Sequence, residues 1–376
     1  MNKPIRVLEV FTIMDQGGAE SMIMNYYRLI NRDRVQFDFA VHRSHRGVYD
    51  DEIESLGGLI YRFLPVYPQN FSALQKQVAE FLDHHPEYSI IHVHTSELGY
   101  FFYKEASKRN RPVIMAHAHN AGMDFDLKAL FRLYFRKVMK PYPTHYVACS
   151  TDAGRWLFGK NPKHAISIIP NAIHTQRFTF DAVQREIVRK NLGIEDKLVL
   201  CHVGRFVPQK NHDFLLSIFE EVHKRLPQAV LLLIGTGEGE EKIAKRIKDN
   251  NLSDVVLMLG SRADIPNLLS ASDLFVLPSK YEGLPVSIVE AQTSGLPCVL
   301  SDVVSLDTTL IPEIIHRLPL GNAGKWADLI GKIKRETNTS REKAREKVKQ
   351  AGYDIQDAAK KLEEFYWTNG QKETKL

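Results

Sequence analysis

Short apolar runs alternate along the chain with longer stretches whose apolar positions recur every three to four residues. The first pattern is that of strands buried on both faces, the second that of amphipathic helices. In the first half, strands are predicted at 6–11, 37–42, 90–94, 113–117 and 146–149, and helices at 19–30, 51–56, 71–84, 97–108 and 127–139. In the second half, strands fall at 198–203, 229–234, 255–259, 274–277 and 298–301, with helices at 213–225, 240–249, 265–271 and 286–293. A polar helix at 177–192 leads into the second set. Helical spacing returns at Ile355, Ala358, Ala359, Leu362, Phe365 and Tyr366. Strands spaced by helices form parallel, doubly wound sheets. The fold class expected is α/β, with two Rossmann-like domains whose parallel sheets face each other across a cleft.

The 376 residues exceed one ordinary core. Ile168-Ile169-Pro170-Asn171-Ala172-Ile173 reads as a strand running into a Pro-Asn turn, and it marks the boundary. One domain is expected at 1–171, completed by a C-terminal helix at 355–376, and the other at 172–354.

Composition narrows the classes. With 44% apolar and 25% charged residues the chain is an ordinary globular protein. A net charge of +5 is too small to imply nucleic acid, and it suits an anionic small substrate or membrane surface. The three cysteines, Cys149, Cys201 and Cys298, lie in separate strand-like contexts and read as reduced core residues. Arg6 interrupts the first apolar run, so no signal peptide is expected, and no uncharged stretch reaches membrane-spanning length. The expected location is cytoplasmic, at most peripheral to a membrane.

The segment Tyr281-Glu282-Gly283-Leu284-Pro285-Val286-Ser287-Ile288-Val289-Glu290 carries the most chemistry. It leaves an apolar strand, turns through Gly283 and enters a helix near Pro285, where a missing N–H costs nothing. Glu282 then sits in the loop and Glu290 on the helix. Carboxylates suit sugar hydroxyls, and helix N-terminal N–H groups suit phosphate, so the expected ligand carries both. A second basic motif, Gly204-Arg205-Phe206-Val207-Pro208-Gln209-Lys210, follows the first strand of the second half. A guanidinium and an ammonium there would stabilise negative charge growing on a departing diphosphate.

Taken in order, an N-terminal Gly-Gly, a His-bearing strand end, Arg205 with Lys210, and Glu282 with Glu290 resemble the retaining glycosyltransferases of family 4, of exopolysaccharide or capsular type and glycosyltransferase B architecture. The resemblance covers nearly the whole chain. It implies transfer of a hexosyl unit from a nucleotide sugar, expected to be a UDP-sugar, onto a sugar or lipid-linked oligosaccharide, with no metal or other cofactor. It makes the first domain the acceptor domain and the second the donor domain. It places Glu282 beside the donor sugar and Glu290 on the ribose. Gly283, Leu284 and Pro285 join them in the donor loop.

Further residues follow from the same resemblance. Gly235 and Gly237, after the strand at 229–234, become a donor loop whose backbone can approach a phosphate closely. Arg262 is assigned to the donor site by position only. Gly17 and Gly18 open the first helix and are placed by the donor phosphate. In Met115-Ala116-His117-Ala118-His119-Asn120, His117 is the better match to the family's sugar-contacting histidine, and His119 the alternative. His119 and Asn120 are assigned to the acceptor side. The expected catalytic set is Glu282, His117, Arg205 and Lys210.

Three rival expectations stand beside this one. His92-Val93-His94 with His117 and His119 suggests a zinc site, but no well-placed acid is evident beside either pair, so no metal is expected. A nucleotide-sugar epimerase, or a non-catalytic sugar-nucleotide-binding protein, would use the same diphosphate grip. The stretch 127–140 is basic and amphipathic, and periodicity alone leaves two readings, a core-packed helix with a solvated face or one resting on anionic lipid. Finally, the family's Pro-Asn-Gly at the domain junction is Pro170-Asn171-Ala172 here, which would strain an alanine if that position needs a positive φ.

Overall fold

The computed structural model describes residues 3–15, 17–122, 129–333 and 336–371. The chain forms two compact units, Met1–Ala172 with Ile355–Leu376, and Ile173–Asp354.

The first unit holds seven parallel strands, β1 Ile5–Phe11, β2 Val35–Val41, β3 Ile60–Arg62, β4 Ile90–Val93, β5 Val113–Ala118, β6 His145–Ala148 and β7 Ile166–Ile168. Their order is β3-β2-β1-β4-β5-β6-β7, so the direction of winding reverses between β1 and β4. The central strands are buried on both faces, which explains their unbroken apolar runs. The helix Ile355–Gly370 returns to this unit, placing Ala358, Ala359, Leu362 and Tyr366 in the same core as Phe37 and Phe39.

Ala172 is fully buried in that core and does not take a positive φ, so no backbone strain accompanies the missing glycine.

The second unit holds six parallel strands, β8 Leu198–Val203, β9 Ala229–Ile234, β10 Val256–Met258, β11 Leu274–Leu277, β12 Cys298–Ser301 and β13 Ile315–Leu318. They are ordered β10-β9-β8-β11-β12-β13, with the reversal between β8 and β11. Trp326 is buried in this core, its indole N–H donating to Pro319 O at 2.9 Å. Sequence periodicity does not predict β3 or β13. Both are edge strands of three or four half-buried residues. The helices Thr151–Phe158 and Ala323–Lys332 are likewise absent from the sequence expectation. The three cysteines are free and buried.

Candidate functional site

In doubly wound sheets, ligands bind beyond the carboxyl ends of strands at the reversal of strand order. In the second unit the loops at that place are tied together. After β8 the chain turns through Asn211, which takes a left-handed φ of 59° before the helix His212–Arg225. The Asn211 side chain donates to Pro278 O at 3.1 Å, joining this loop to the one after β11. Lys210 and Glu282 then meet across the reversal, with Nζ 2.6 Å from Oε1. Ser279 Oγ donates to the same oxygen at 2.8 Å, and Gln209 Nε2 to Oε2 at 3.2 Å. Glu282 is buried and held by three donors. A Cβ on Gly204 would lie 3.3 Å from Lys210 Cδ and Cε, so glycine gives the lysine stem room.

Arg205 is exposed, and among the described residues its side chain has no hydrogen-bond or ion-pair partner. It is a cation available to a ligand. Gly235, at φ 137°, packs against the Gly204 carbonyl so closely that a Cβ would overlap it. A Cβ on Gly237, at φ 157°, would come within 2.7 Å of Phe206 N. Both glycines are therefore required to lay the loop after β9 on the loop bearing Arg205. Thr236 O accepts from Phe206 N at 2.9 Å, and Gly260 O accepts from Gly235 N at 2.9 Å, drawing in the loop after β10.

Pro285 caps the helix Val286–Thr293 with extended backbone; Gly283 and Leu284 are buried before it, and Gly283 takes no positive φ. Glu290 lies on that helix, half-buried. Burial pushes its carboxyl up to about 7, with Arg177 opposing. Arg262 is exposed, and its fork is occupied by Asp264 at 2.8 and 2.7 Å. Two histidines that the sequence did not single out, His202 and His212, stand behind Lys210. Burial holds both well below the ordinary histidine range, and each leaves Nε2 without a partner.

The first unit gathers a different set at its β1/β4 reversal. Glu9 on β1 is paired in register with His92 on β4, and His92 with Met115 on β5. His94 and His117 follow at the same carboxyl edge. Glu9 is fully buried. Its Oε2 lies 2.8 Å from His94 Nε2 and 3.3 Å from His92 Nδ1, and its Oε1 accepts from Tyr366 OH at 3.2 Å. His92 Nδ1 is 2.6 Å from Tyr366 OH, and His92 Nε2 is 3.0 Å from His117 Nδ1. His94 Nδ1 is 2.9 Å from His119 Nε2. An acid does accompany the histidines, which corrects the sequence expectation. Glu9 escaped notice because it sits 83 positions before His92 inside an apolar run. Nitrogens of His92, His94 and His117 also lie within 4.8 Å of one another. Each of these three rings already shares a nitrogen with a neighbouring side chain in the contacts above.

Asn120 is exposed. Gly17 caps the helix Gly18–Tyr27 in extended conformation; neither glycine takes a positive φ, and the space over Gly18 is open. The helix Ala129–Val138 buries Ala129 and Phe135, while Leu130, Phe131 and Tyr134 are exposed. Leu127 and Lys128 of the predicted helix lie outside the described residues.

Two parallel α/β units, each with a strand-order reversal, match the B-type architecture of solved glycosyltransferase structures. The chain belongs to the family 4 glycosyltransferases of that architecture. Residues 16–177 match the Glycosyltransferase Family 4 model, and residues 184–354 match the Glycosyl transferases group 1 model. The chain is 34% identical to the putative glycosyltransferase EpsF of Bacillus subtilis over 98% of both chains. It is 26% identical, over 80% of each, to the UDP-Gal:alpha-D-GlcNAc-diphosphoundecaprenol alpha-1,3-galactosyltransferase of Escherichia coli. Among solved structures, Anabaena HepE in complex with UDP superposes with a TM-score of 0.80, covering 96% of this chain and 99% of that one at 20% identity.

Proposed function

We propose that this chain moves a hexosyl unit from a UDP-sugar to a sugar or lipid-linked acceptor in bacterial surface-polysaccharide assembly, with retention of configuration and without a metal. The observation that carries the reading is the Lys210–Glu282 pair at the β8/β11 reversal beside an unpartnered Arg205. The names of two relatives, the UDP-Gal-dependent galactosyltransferase and UDP-bound HepE, support UDP as the carrier.

In this reading Arg205 and Lys210 meet charge that develops on the departing diphosphate, and Glu290 accepts from the ribose hydroxyls. Glu282 holds Lys210 in place and borders the donor sugar; His117 keeps its assignment as a sugar contact. The bond from C1 to the phosphate oxygen breaks as the acceptor oxygen bonds C1 on the same face. The acceptor proton passes to the leaving phosphate oxygen. No metal is needed to balance the diphosphate where two side-chain cations do so, and full turnover in EDTA would bear that out.

Among the described residues no helix is long and apolar enough to cross a membrane. A lipid-linked acceptor would be met instead through the helix Ala129–Val138, whose exposed Leu130, Phe131 and Tyr134 are flanked by Arg132, Arg136 and Lys137. Sedimentation with anionic vesicles, lost in a Leu130→Ser, Phe131→Ser double variant, tests this.

The decisive experiment is a thermal-shift panel of UDP, GDP, ADP and CMP on wild type and Lys210→Ala. A ligand at 100 times its Kd that binds only the folded state adds ~2.7 kcal/mol. A shift with UDP alone that Lys210→Ala abolishes is expected. No shift with any nucleotide would remove the transferase reading.

A further inference from the structure

Four histidines in the first unit share one buried acid, and the hydrogen bonds among them have a direction. Glu9, fully buried, offers only acceptors as a carboxylate, so each group against it presents a proton. His94 does so with Nε2. Its Nδ1 is then a lone pair and accepts from His119 Nε2. On the other arm, Tyr366 OH donates to Glu9 Oε1. His92 Nδ1 lies 3.3 Å from Glu9 Oε2, where a lone pair would face the carboxylate oxygen, so the ring proton belongs there and is directed to the tyrosine oxygen. His92 Nε2 is therefore bare and accepts from His117 Nδ1. That leaves His117 Nε2, which is buried and without a partner.

We propose that Glu9, Tyr366 and His92 are positioning residues that hold His117 in its Nδ1–H tautomer, so that Nε2 presents a lone pair to a hydrogen-bond donor of the ligand, such as a sugar hydroxyl. The identity of the ligand rests on the reading of His117 as a donor-sugar contact; the tautomer does not. Burial and the neighbouring rings hold His94, His117 and His119 well below the ordinary histidine range, as single-proton rings require. The ligand class follows from the chemistry. A hydroxyl or an amide N–H satisfies Nε2, whereas a carboxylate or keto oxygen would set two acceptors against each other in a buried place. Tyr366 makes the device depend on the returning C-terminal helix, since the ring lies 274 positions from His92 in the sequence.

The direct test reads the tautomer in the wild-type chain. The full chain is labelled with 15N-histidine and its long-range 1H–15N correlations are recorded, with the His117 signal assigned by its loss in His117→Gln. The expected result is a protonated Nδ1 and a bare Nε2 on His117. An Nε2–H tautomer or an imidazolium at His117 overturns the proposal, as does zinc at one equivalent in the purified protein bound through these nitrogens. Glu9→Gln and Tyr366→Phe are each expected to move the His117 signal toward the Nε2–H form, the first by removing the carboxylate that fixes the His92 proton, the second by removing the oxygen that accepts it. The ligand half is read by affinity. Deoxy and deoxyfluoro analogues of UDP-glucose and UDP-galactose are titrated into wild type. Fluorine does not donate, so at one position both analogues are expected to lose about tenfold, a loss absent in His117→Ala. Retained affinity for the fluoro analogue alone would show His117 donating and overturn the proposal. If neither parent nucleotide sugar binds, the donor reading fails, and the tautomer is still decided by the nitrogen spectrum.

Discussion

At the β1/β4 reversal of the first unit stand one acid, four histidines and a tyrosine, hydrogen-bonded to one another and largely sealed from solvent. At the β8/β11 reversal of the second stand two cations and two acids, of which only Lys210 and Glu282 are paired with each other. The scaffold is the same, but the polar groups have opposite character. The first set is satisfied internally at every contact but His117 Nε2, so its geometry is fixed before any ligand arrives. The second leaves Arg205 without a partner and Glu290 with a raised pKa, so its charges are available to something that binds. A diphosphate carries charge and calls for the second kind of site. A sugar hydroxyl carries a direction and calls for the first.

The largest expected effect tests the charged half. In the proposed reading Lys210→Ala removes a cation aimed at developing charge, and it leaves Glu282 buried with only Ser279 and Gln209 as donors. Catalytic efficiency is expected to fall by a factor of roughly 10²–10³, about 2.7–4 kcal/mol of transition-state stabilisation. Arg205→Ala should fall less, because its guanidinium is exposed and screened. Equal losses at both positions would mean that the Lys210–Glu282 pair contributes only as a point charge. Steady-state kinetics with saturating acceptor separate the two.

The second effect tests the satisfied half. Glu9→Ala takes the acceptor from His94 and Tyr366 together, and buried donors without partners cost on the order of 3 kcal/mol. Hydrogen exchange in β1, β4 and the helix Ile355–Gly370 should accelerate while β8 and β11 keep their protection. Acceleration spread equally over both units would erase the distinction drawn between them.

How much of this was legible in the sequence divides along the same line. Arg205, Lys210, Glu282 and Glu290 lie in loops directly after strands or on the helix that follows, and a short motif plus one strand is enough to place each of them. The alternation of periods located the central strands for the same local reason. The histidine cluster depends on sheet register and on a helix that returns from the far end of the chain. Glu9 looks like one more polar interruption after Arg6 in Ile5–Phe11, and nothing near it names His94 or Tyr366. The edge strands Ile60–Arg62 and Ile315–Leu318 were missed because a half-exposed strand of three or four residues carries too few apolar positions to show a period.

A smaller effect concerns Glu290 and pH. Its carboxyl titrates near 7 in the folded chain because burial disfavours the charge. The folded state thus holds a proton between the ordinary carboxylate range and about 7 that the unfolded state has released. Stability from this group falls as pH rises through that window. Binding should run the other way. In the proposed reading an ionised Glu290 accepts from both ribose hydroxyls, so UDP affinity is expected to rise about fivefold between pH 6 and 8, roughly 1 kcal/mol. Calorimetric titration of Glu290→Gln should flatten the profile, with any slope that remains belonging to the phosphate.

The smallest effect sharpens what belongs to the charged half. Arg262 was placed at the donor site by position alone, yet both arms of its fork are taken by Asp264 and the pair is exposed. An exposed pair of this kind is worth about 0–1 kcal/mol, and a guanidinium already engaged offers little to a passing phosphate. Arg262→Ala should therefore change UDP affinity less than about threefold, under ~0.7 kcal/mol. Asp264→Ala frees the fork, and it should strengthen UDP binding if Arg262 reaches the nucleotide at all. A tenfold loss in Arg262→Ala would mean that the Arg262–Asp264 pair opens when ligand binds, and the loop after β10 would then join those after β8 and β11 as part of the diphosphate grip.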